Sequence, residues 1–415
     1  MKNICLTISL FLFTFCLKAQ NVAADIDSIV RSIHSNYPEI PGMVIGVHHP
    51  DHGQFILPFG IEKLGENNPI DTNAIFEVGS INKNFMWVLL HLLHQQEMID
   101  IYQPYYYENP IGNQVYINQL QDSIQHYRGR RFTIADLMKH TTGMVDIPSS
   151  NNYPHFIINN LFKEHTLQDA LAFLFNTNAS SNECGAVQSG MCIEFEMGID
   201  HQYSSYGPTI AAFIAEIETG SNVRLLQKEM IIDRLGMSGT SQIGYENANG
   251  FLTYGHDNIR DTNGIFTADY EVLEWYDEQQ NLGWYPYSVA SLFRFPIFSN
   301  AADLLTYLRA QFTDENFISA STLTAMKEEF VLWFNVFRSG LGIVNYEFLW
   351  STNDAEDDFF GHSGDGTFGH GTTIAHRSRD QLSIVVLTNA RPSTSPYENF
   401  PHFDITKAIG AYFND

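Results

Sequence analysis

The chain has 415 residues, of which 44% are hydrophobic, 13% aromatic and 17% charged, the make-up of a globular protein that can bury a core without staples. Its 22 basic and 47 acidic residues leave a formal charge of −25. That charge repels nucleic acid and anionic lipid, which counts against a binder of phosphate backbones.

The first residues read as an export signal. Met1-Lys2-Asn3 is a short basic head, Ile4 to Phe15 is an apolar run too short for a membrane span, and Ala19 supplies a small residue at a cleavage point. Residues 1–19 are therefore expected to be a signal peptide, and 20–415 a single mature domain that is periplasmic or secreted. Cys16 raises lipid anchoring as an alternative, but the bulky Phe15 before it fits a lipidation site poorly. No later stretch is apolar for long enough to cross a bilayer. Without Cys5 and Cys16 the mature chain keeps Cys184 and Cys192, which flank a short loop containing Gly and Ser. A disulfide between them is the preferred reading in an oxidising compartment, since a metal site needs more ligands than two thiols.

Val22, Ile26, Ile29, Val30 and Ile33 fall at helical spacing and predict a first amphipathic helix. Residues 42–49 have strand character, Asp51-His52-Gly53 reads as a hairpin turn, and Gln54 to Phe59 is the returning strand. Helices follow at Phe85 to Gln96, after the capping box at Thr133 to Asp136, at Pro208 to Thr219 and at Ala301 to Phe312. Strands return at Val331 to Arg338, Leu341 to Phe348, Gly371 to His376 and Leu382 to Leu387, before a last helix at Pro401 to Phe413. Tyr102 to Arg131 shows only weak periodicity. Tyr245 to Phe295 is long, acidic and rich in Tyr and Trp, and is a candidate wall of a substrate cleft. Strands at both ends with a helical middle predict an α+β fold. One antiparallel sheet is assembled from the two termini and flanked by helices, with a mostly helical lobe inserted at about residues 85–315.

Chemistry concentrates at Gly79-Ser80-Ile81-Asn82-Lys83. A Lys three residues after a Ser at a helix start shares its face. It can take the proton that keeps a serine hydroxyl a weak nucleophile. Chance alone supplies about one such pair in a chain of this length, so the setting decides. Further along stand Phe132 to Met144, with Lys139-His140-Thr141-Thr142-Gly143 inside it, then Tyr203-Ser204-Ser205-Tyr206-Gly207, then Arg234-Leu235-Gly236-Met237. Last come Gly361-His362-Ser363-Gly364 and Leu387-Thr388-Asn389.

In this order and at these distances the motifs resemble the serine β-lactamase and D,D-peptidase superfamily from about Pro41 to Asn389. The nearest branch holds class C β-lactamases, low-molecular-weight penicillin-binding proteins, D-aminopeptidases and related esterases. The resemblance implies that Ser80 is acylated, that Lys83 is its proton partner and that Tyr203 serves both. It places Ser205, His362 and Gly364 at the substrate, and the backbone N–H groups of Ser80 and Asp365 as the oxyanion hole. It implies an acyl-enzyme mechanism with no cofactor and no metal. The substrate is then a small molecule or short peptide, with peptidoglycan fragments among the candidates. A β-lactamase proper, or a penicillin-binding sensor that is acylated without turnover, is the alternative.

Three departures bear on the substrate. Ser205 stands where Asn is common and offers one donor instead of an amide. His362 stands where β-lactamases carry Lys, which weakens the case for gripping a terminal carboxylate and points toward a D-amino-acid peptidase or an esterase. Asp365 replaces a commonly small residue; facing the cleft it would favour a cationic substrate, and facing solvent it is an ordinary surface charge.

Rival readings fit less well. Gly361 to Asp365 mimics a nucleophile elbow, but that motif requires Gly where Asp365 stands. His91 and His94 lie one helical turn apart without the third ligand of a zinc site, so packing is the expected role. His140 is expected to bond near the turn at Thr142-Gly143.

Overall fold

Met43, Ile45 and Val47 alternate with Val44 and Gly46 along β1 (Gly42–His49), so a strand of period two presents a separate set to each side. Both sets are buried, because the strand lies inside a sheet covered on its two faces. The computed structural model describes residues 22–144, 186–188, 191–193, 201–242, 255–260, 266–273, 297–328, 331–333, 337–346, 359–365, 370–390 and 401–414. Among these, eight strands form one sheet. After β1 and β2 (Gly53–Gly60) come β3 (Val331–Trp333), β4 (Phe337–Ser339), β5 (Val344–Asn345), β6 (Phe359–Asp365), β7 (Gly371–Arg377) and β8 (Leu382–Thr388). Their spatial order is β3-β4-β5-β6-β7-β8-β1-β2, with every pairing antiparallel.

The sheet is thus closed by its two ends, as predicted: β1 pairs with β8 in the register Val44↔Leu387 and Val47↔Ile384. Asn389 locks the seam, accepting the Gly42 N–H at 2.8 Å and donating to the carbonyls of Ile61 and Glu62.

The two faces carry two cores. Met43, Ile45, Val47, Ile384 and Val386 pack with Val22, Ile26 and Val30 of α1 (22–34) and with Ile405 and Ile409 of the C-terminal helix Pro401–Tyr412. Arg377, fully buried at the end of β7, ties that helix down through Asp380, the Gly410 carbonyl and Asn414. On the opposite face Val44, Ile374, Val385 and Leu387 meet the helical part of the chain. That part contains α2 (Ile81–Gln95), α3 (Asn113–Arg128), α4 (Ile134–Met138), α5 (Tyr206–Thr219) and α6 (Ala301–Thr313). Gly46 lets α6 approach β1: a Cβ there would meet Leu305 and Ala301 at 3.0 to 3.3 Å. The predicted capping box at α4 is present, with the Thr133 side chain and Asp136 exchanging bonds with each other's backbone N–H.

Some elements differ from the sequence-based expectation. Within Tyr102 to Arg131 lies α3, whose inner face is Ile117, Leu120, Gln121 and Ile124. The buried Gln121 hides the apolar stripe from a hydropathy reading, and it is satisfied by the Phe132 N–H and carbonyl. Val331 to Arg338, predicted as one strand, supplies two that pair with each other in the register Leu332↔Arg338. Leu341 to Phe348 yields only the two-residue β5 among the described residues. Tyr245 to Phe295 contains the hairpin Gly255–Arg260 and Phe266–Leu273, and its remainder, with the proposed cleft wall, lies outside the described residues. The signal peptide also lies outside them. Strands Ala186–Gln188 and Met191–Ile193 pair with Val187 opposite Cys192, but Cys184 and the Cys192 side chain fall outside, and so does the proposed disulfide.

Candidate active site

Ser80 sits where a two-residue strand, Phe76–Glu77, turns into α2. Gly79 makes the turn with a φ of 53°, a left-handed conformation that suits glycine. Ser80 occupies the N-cap position but makes no side-chain cap bond. Its hydroxyl faces Lys83 instead, whose Nζ donates to Oγ at 3.0 Å. Lys83 is only 4% exposed, so this amine meets the hydroxyl away from bulk water.

The start of α2 is held from three sides. Asn82 Oδ1 accepts the Ile297 N–H at 2.9 Å, Asn84 Nδ2 donates to the Gly342 carbonyl at 2.7 Å, and Tyr307 donates to Asn84 Oδ1 at 2.7 Å. Phe85 stacks on Tyr307 at 3.9 Å. Buried, hydrogen-bonded amides of this kind fix one geometry.

Strand β6 forms the facing wall. Gly364 presses on the serine turn so closely that a Cβ would lie 2.3 Å from the Val78 carbonyl oxygen and 2.5 Å from the Ser80 nitrogen. The Thr372 hydroxyl of β7 reaches the carbonyls of Val78 at 2.9 Å and Gly364 at 3.0 Å, clasping turn to strand. Thr372 gave no signal in the sequence. His362 is buried two residues earlier, with Nδ1 on the Ser363 carbonyl at 2.6 Å. Burial pushes its pKa down to about 4, against the Ser363 bond and with help from Lys83, so the imidazole is neutral near pH 7. The side chain of Asp365 lies outside the described residues.

The third wall is the stretch entering α5. The Tyr203 ring lies with its centroid 4.8 Å from Lys83 Nζ, and Ser205 is buried at the N-cap position of α5. Ser80 and Lys83, Tyr203, and Gly364 therefore converge from three parts of the sequence. His140 departs from expectation. Rather than bonding at the Thr142-Gly143 turn, its Nδ1 accepts the Ser204 N–H at 3.2 Å and its carbonyl accepts the Gln202 N–H at 2.8 Å. The ring nitrogens of His91 and His94 face the carbonyls of Leu341 and Ile99, as packing histidines do. Among the described residues no three His, Cys, Asp or Glu side chains gather as metal ligands, and no helix is long and apolar enough to cross a membrane.

Histidine burial extends beyond the site. Burial lowers the pKa of His140 well below its usual value, that of His201 to about 4, and those of His376 and His402 to about 3. With His362, these rings stay neutral in the folded chain but take a proton near pH 6.5 once unfolded. The stability they confer is complete above that pH and is lost progressively as pH falls below it. Urea unfolding is expected to take up on the order of four protons from these groups at pH 5. A free energy of unfolding that is flat from pH 7 to 5 would contradict their neutral burial.

Comparison with known proteins follows the same geometry. The family model described as Beta-lactamase matches residues 30–402. Among solved structures, the D-amino acid amidase from Ochrobactrum anthropi SV3 superposes with a TM-score of 0.68 at 18% identity, over 94% of this chain and 98% of that one. A D-stereospecific amidohydrolase from Streptomyces sp. gives 0.63 at 17% identity, over 90% and 94%. The octameric penicillin-binding protein homologue from Pyrococcus abyssi gives 0.65 at 17% identity, over 94% and 77%. At these identities the likeness is one of fold. No curated protein matches the chain.

Proposed function

The chain belongs to the β-lactamase family and is a hydrolase of that family, and from that premise we propose that Ser80 is its nucleophile, cleaving an amide or ester of a D-amino acid or short D-peptide through an acyl-enzyme. The observation that carries this reading is the 3.0 Å bond between Lys83 Nζ and Ser80 Oγ, made by a buried amine under the Tyr203 ring. In this scheme Ser80 Oγ attacks the substrate carbonyl carbon while its proton passes to the Lys83–Tyr203 pair. The N–H groups of Ser80 and Asp365 receive the charge that develops on the carbonyl oxygen. The pair returns the proton to the leaving amine or alcohol, and water then attacks the ester on Ser80 to regenerate the enzyme.

The preference for an uncharged end of the substrate rests on His362. A neutral, buried imidazole provides no fixed cation for a carboxylate, and a lost charge-assisted contact costs about 2 kcal/mol, roughly 30-fold in kcat/KM. The amidase and amidohydrolase folds among the neighbours agree with amide cleavage at a D-centre. The basic head and apolar run at the N-terminus support export, and peptidoglycan fragments are then one accessible source of such substrates.

A panel of purified-protein assays tests the reading: a D-aminoacyl nitroanilide, a short-chain nitrophenyl ester, a D-Ala-D-Ala peptide and nitrocefin, each with Ser80→Ala as control. The nitroanilide or the ester is expected to have the highest kcat/KM. Nitrocefin in first place would make the protein an antibiotic-degrading enzyme, and stable labelling by a fluorescent penicillin without product release would make it a sensor.

A further inference from the structure

His140 is a buried histidine in a backbone conformation that histidine seldom adopts, with a φ of 55° immediately after α4. The turn spends this conformation on one set of contacts. The His140 carbonyl takes the N–H of Gln202 at 2.8 Å, and its Nδ1 takes the N–H of Ser204 at 3.2 Å. These are the N–H groups of the two residues on either side of Tyr203. The imidazole also packs on the phenol ring, with centroids 4.6 Å apart. Trp87 of α2 stands edge-on to the other side of the cluster at 6.4 Å.

We propose that His140 is a positioning residue: by receiving the backbone N–H groups on both sides of Tyr203, it holds the phenol over Lys83. The inference rests on the reading that Tyr203 and Lys83 handle the proton of Ser80. Anchoring one neighbour of Tyr203 would leave its Cα free to swing; anchoring both fixes the direction from which the ring leaves the chain. Nδ1 can accept an N–H only when it carries no proton itself, so the imidazole must be the neutral tautomer protonated at Nε2. The titratable groups that face it are Lys83 from α2, His362 from β6 and His201 from the same stretch as Tyr203, and all three oppose a second proton on the ring. The site therefore keeps His140 in the one form that can serve.

The chemistry names its own substitutes. Glycine keeps the left-handed backbone and the carbonyl contact to Gln202 while deleting the ring. Asparagine tolerates that backbone and puts an acceptor oxygen where Nδ1 stands. His140→Gly is expected to lower kcat about 100-fold with KM within about threefold, the scale of a misplaced catalytic group. His140→Asn should recover at least tenfold of that loss. A thermodynamic cycle separates this role from a merely structural one: in a Tyr203→Phe background, His140→Gly should lower kcat by less than about threefold more.

The same factor in both backgrounds, or His140→Asn no better than His140→Gly, overturns the clamp. If Tyr203→Phe alone keeps full kcat, the proton role of Tyr203 fails and the inference goes with it, so the two failures are told apart. Should His140→Gly not fold, histidine ring nitrogen spectra of the wild-type protein decide, with His140→Asn providing the assignment. The His140 ring is expected as the Nε2–H tautomer from pH 5 to 8, and an Nδ1–H tautomer would refute the proposal.

Discussion

Replacement of Ser80 by alanine is expected, on the proposed acyl-enzyme route, to lower kcat by at least about 10⁴-fold and to abolish the acyl adduct. Mass spectrometry after quenching with an activated ester reads this directly: one acyl adduct on the wild-type chain, none on the variant. Ser363→Ala is the informative control. Ser363 lies between His362 and Gly364 on β6, whereas Ser80 is the serine that receives Lys83 Nζ at 3.0 Å. The control should keep its adduct. An adduct that survives at Ser80→Ala and vanishes at Ser363→Ala would exchange the roles of the two serines.

Gly364→Ala is expected to cost less, but to be damaging without removing any reactive atom. The added methyl would stand 2.3 Å from the Val78 oxygen and 2.5 Å from the Ser80 nitrogen, and both are backbone atoms that cannot rotate away. Either β6 or the serine turn must shift, and Thr372, bonded to both, resists their separation. A displacement near 1 Å at Ser80, the proposed nucleophile, should cost on the order of 100-fold in kcat, and overpacking should remove about 1–3 kcal/mol of stability. Titration of acylatable sites beside a melting curve distinguishes slow enzyme from unfolded enzyme. Wild-type kcat in a folded Gly364→Ala protein would show that the wall and the turn are not rigidly joined.

Legibility in the sequence followed the range of the interactions. Ser80 and Lys83 meet across one helical turn, so spacing alone brought them together. Tyr203 meets Lys83 only through tertiary packing, and it was reached through an ordered set of motifs rather than through any local pattern. The closure of the sheet by β1 and β8 was visible because strand patterns stand at both ends of the chain with helical patterns between them. The inner face of α3 was not, since Gln121 occupies a core position and looks polar until its partner, the Phe132 peptide, is known. Nor was the hairpin of β3 and β4, where an apolar run gives no sign of turning back. His140 stood in a recognisable motif, but its partners lie 62 and 64 residues later, and nothing local announces them.

The seam at Asn389 has a bearing on when this protein becomes an enzyme. Its amide oxygen grips a residue 347 positions earlier, and the wall that Gly364 sets against Ser80 belongs to the same late-emerging strands. Contacts of such separation are the slowest to form. A chain still leaving the ribosome carries the serine and its lysine but no wall to complete them. Hydrolytic competence therefore arrives at once and late, and recovery of activity during refolding would time the joining of the two chain ends rather than the growth of any helix.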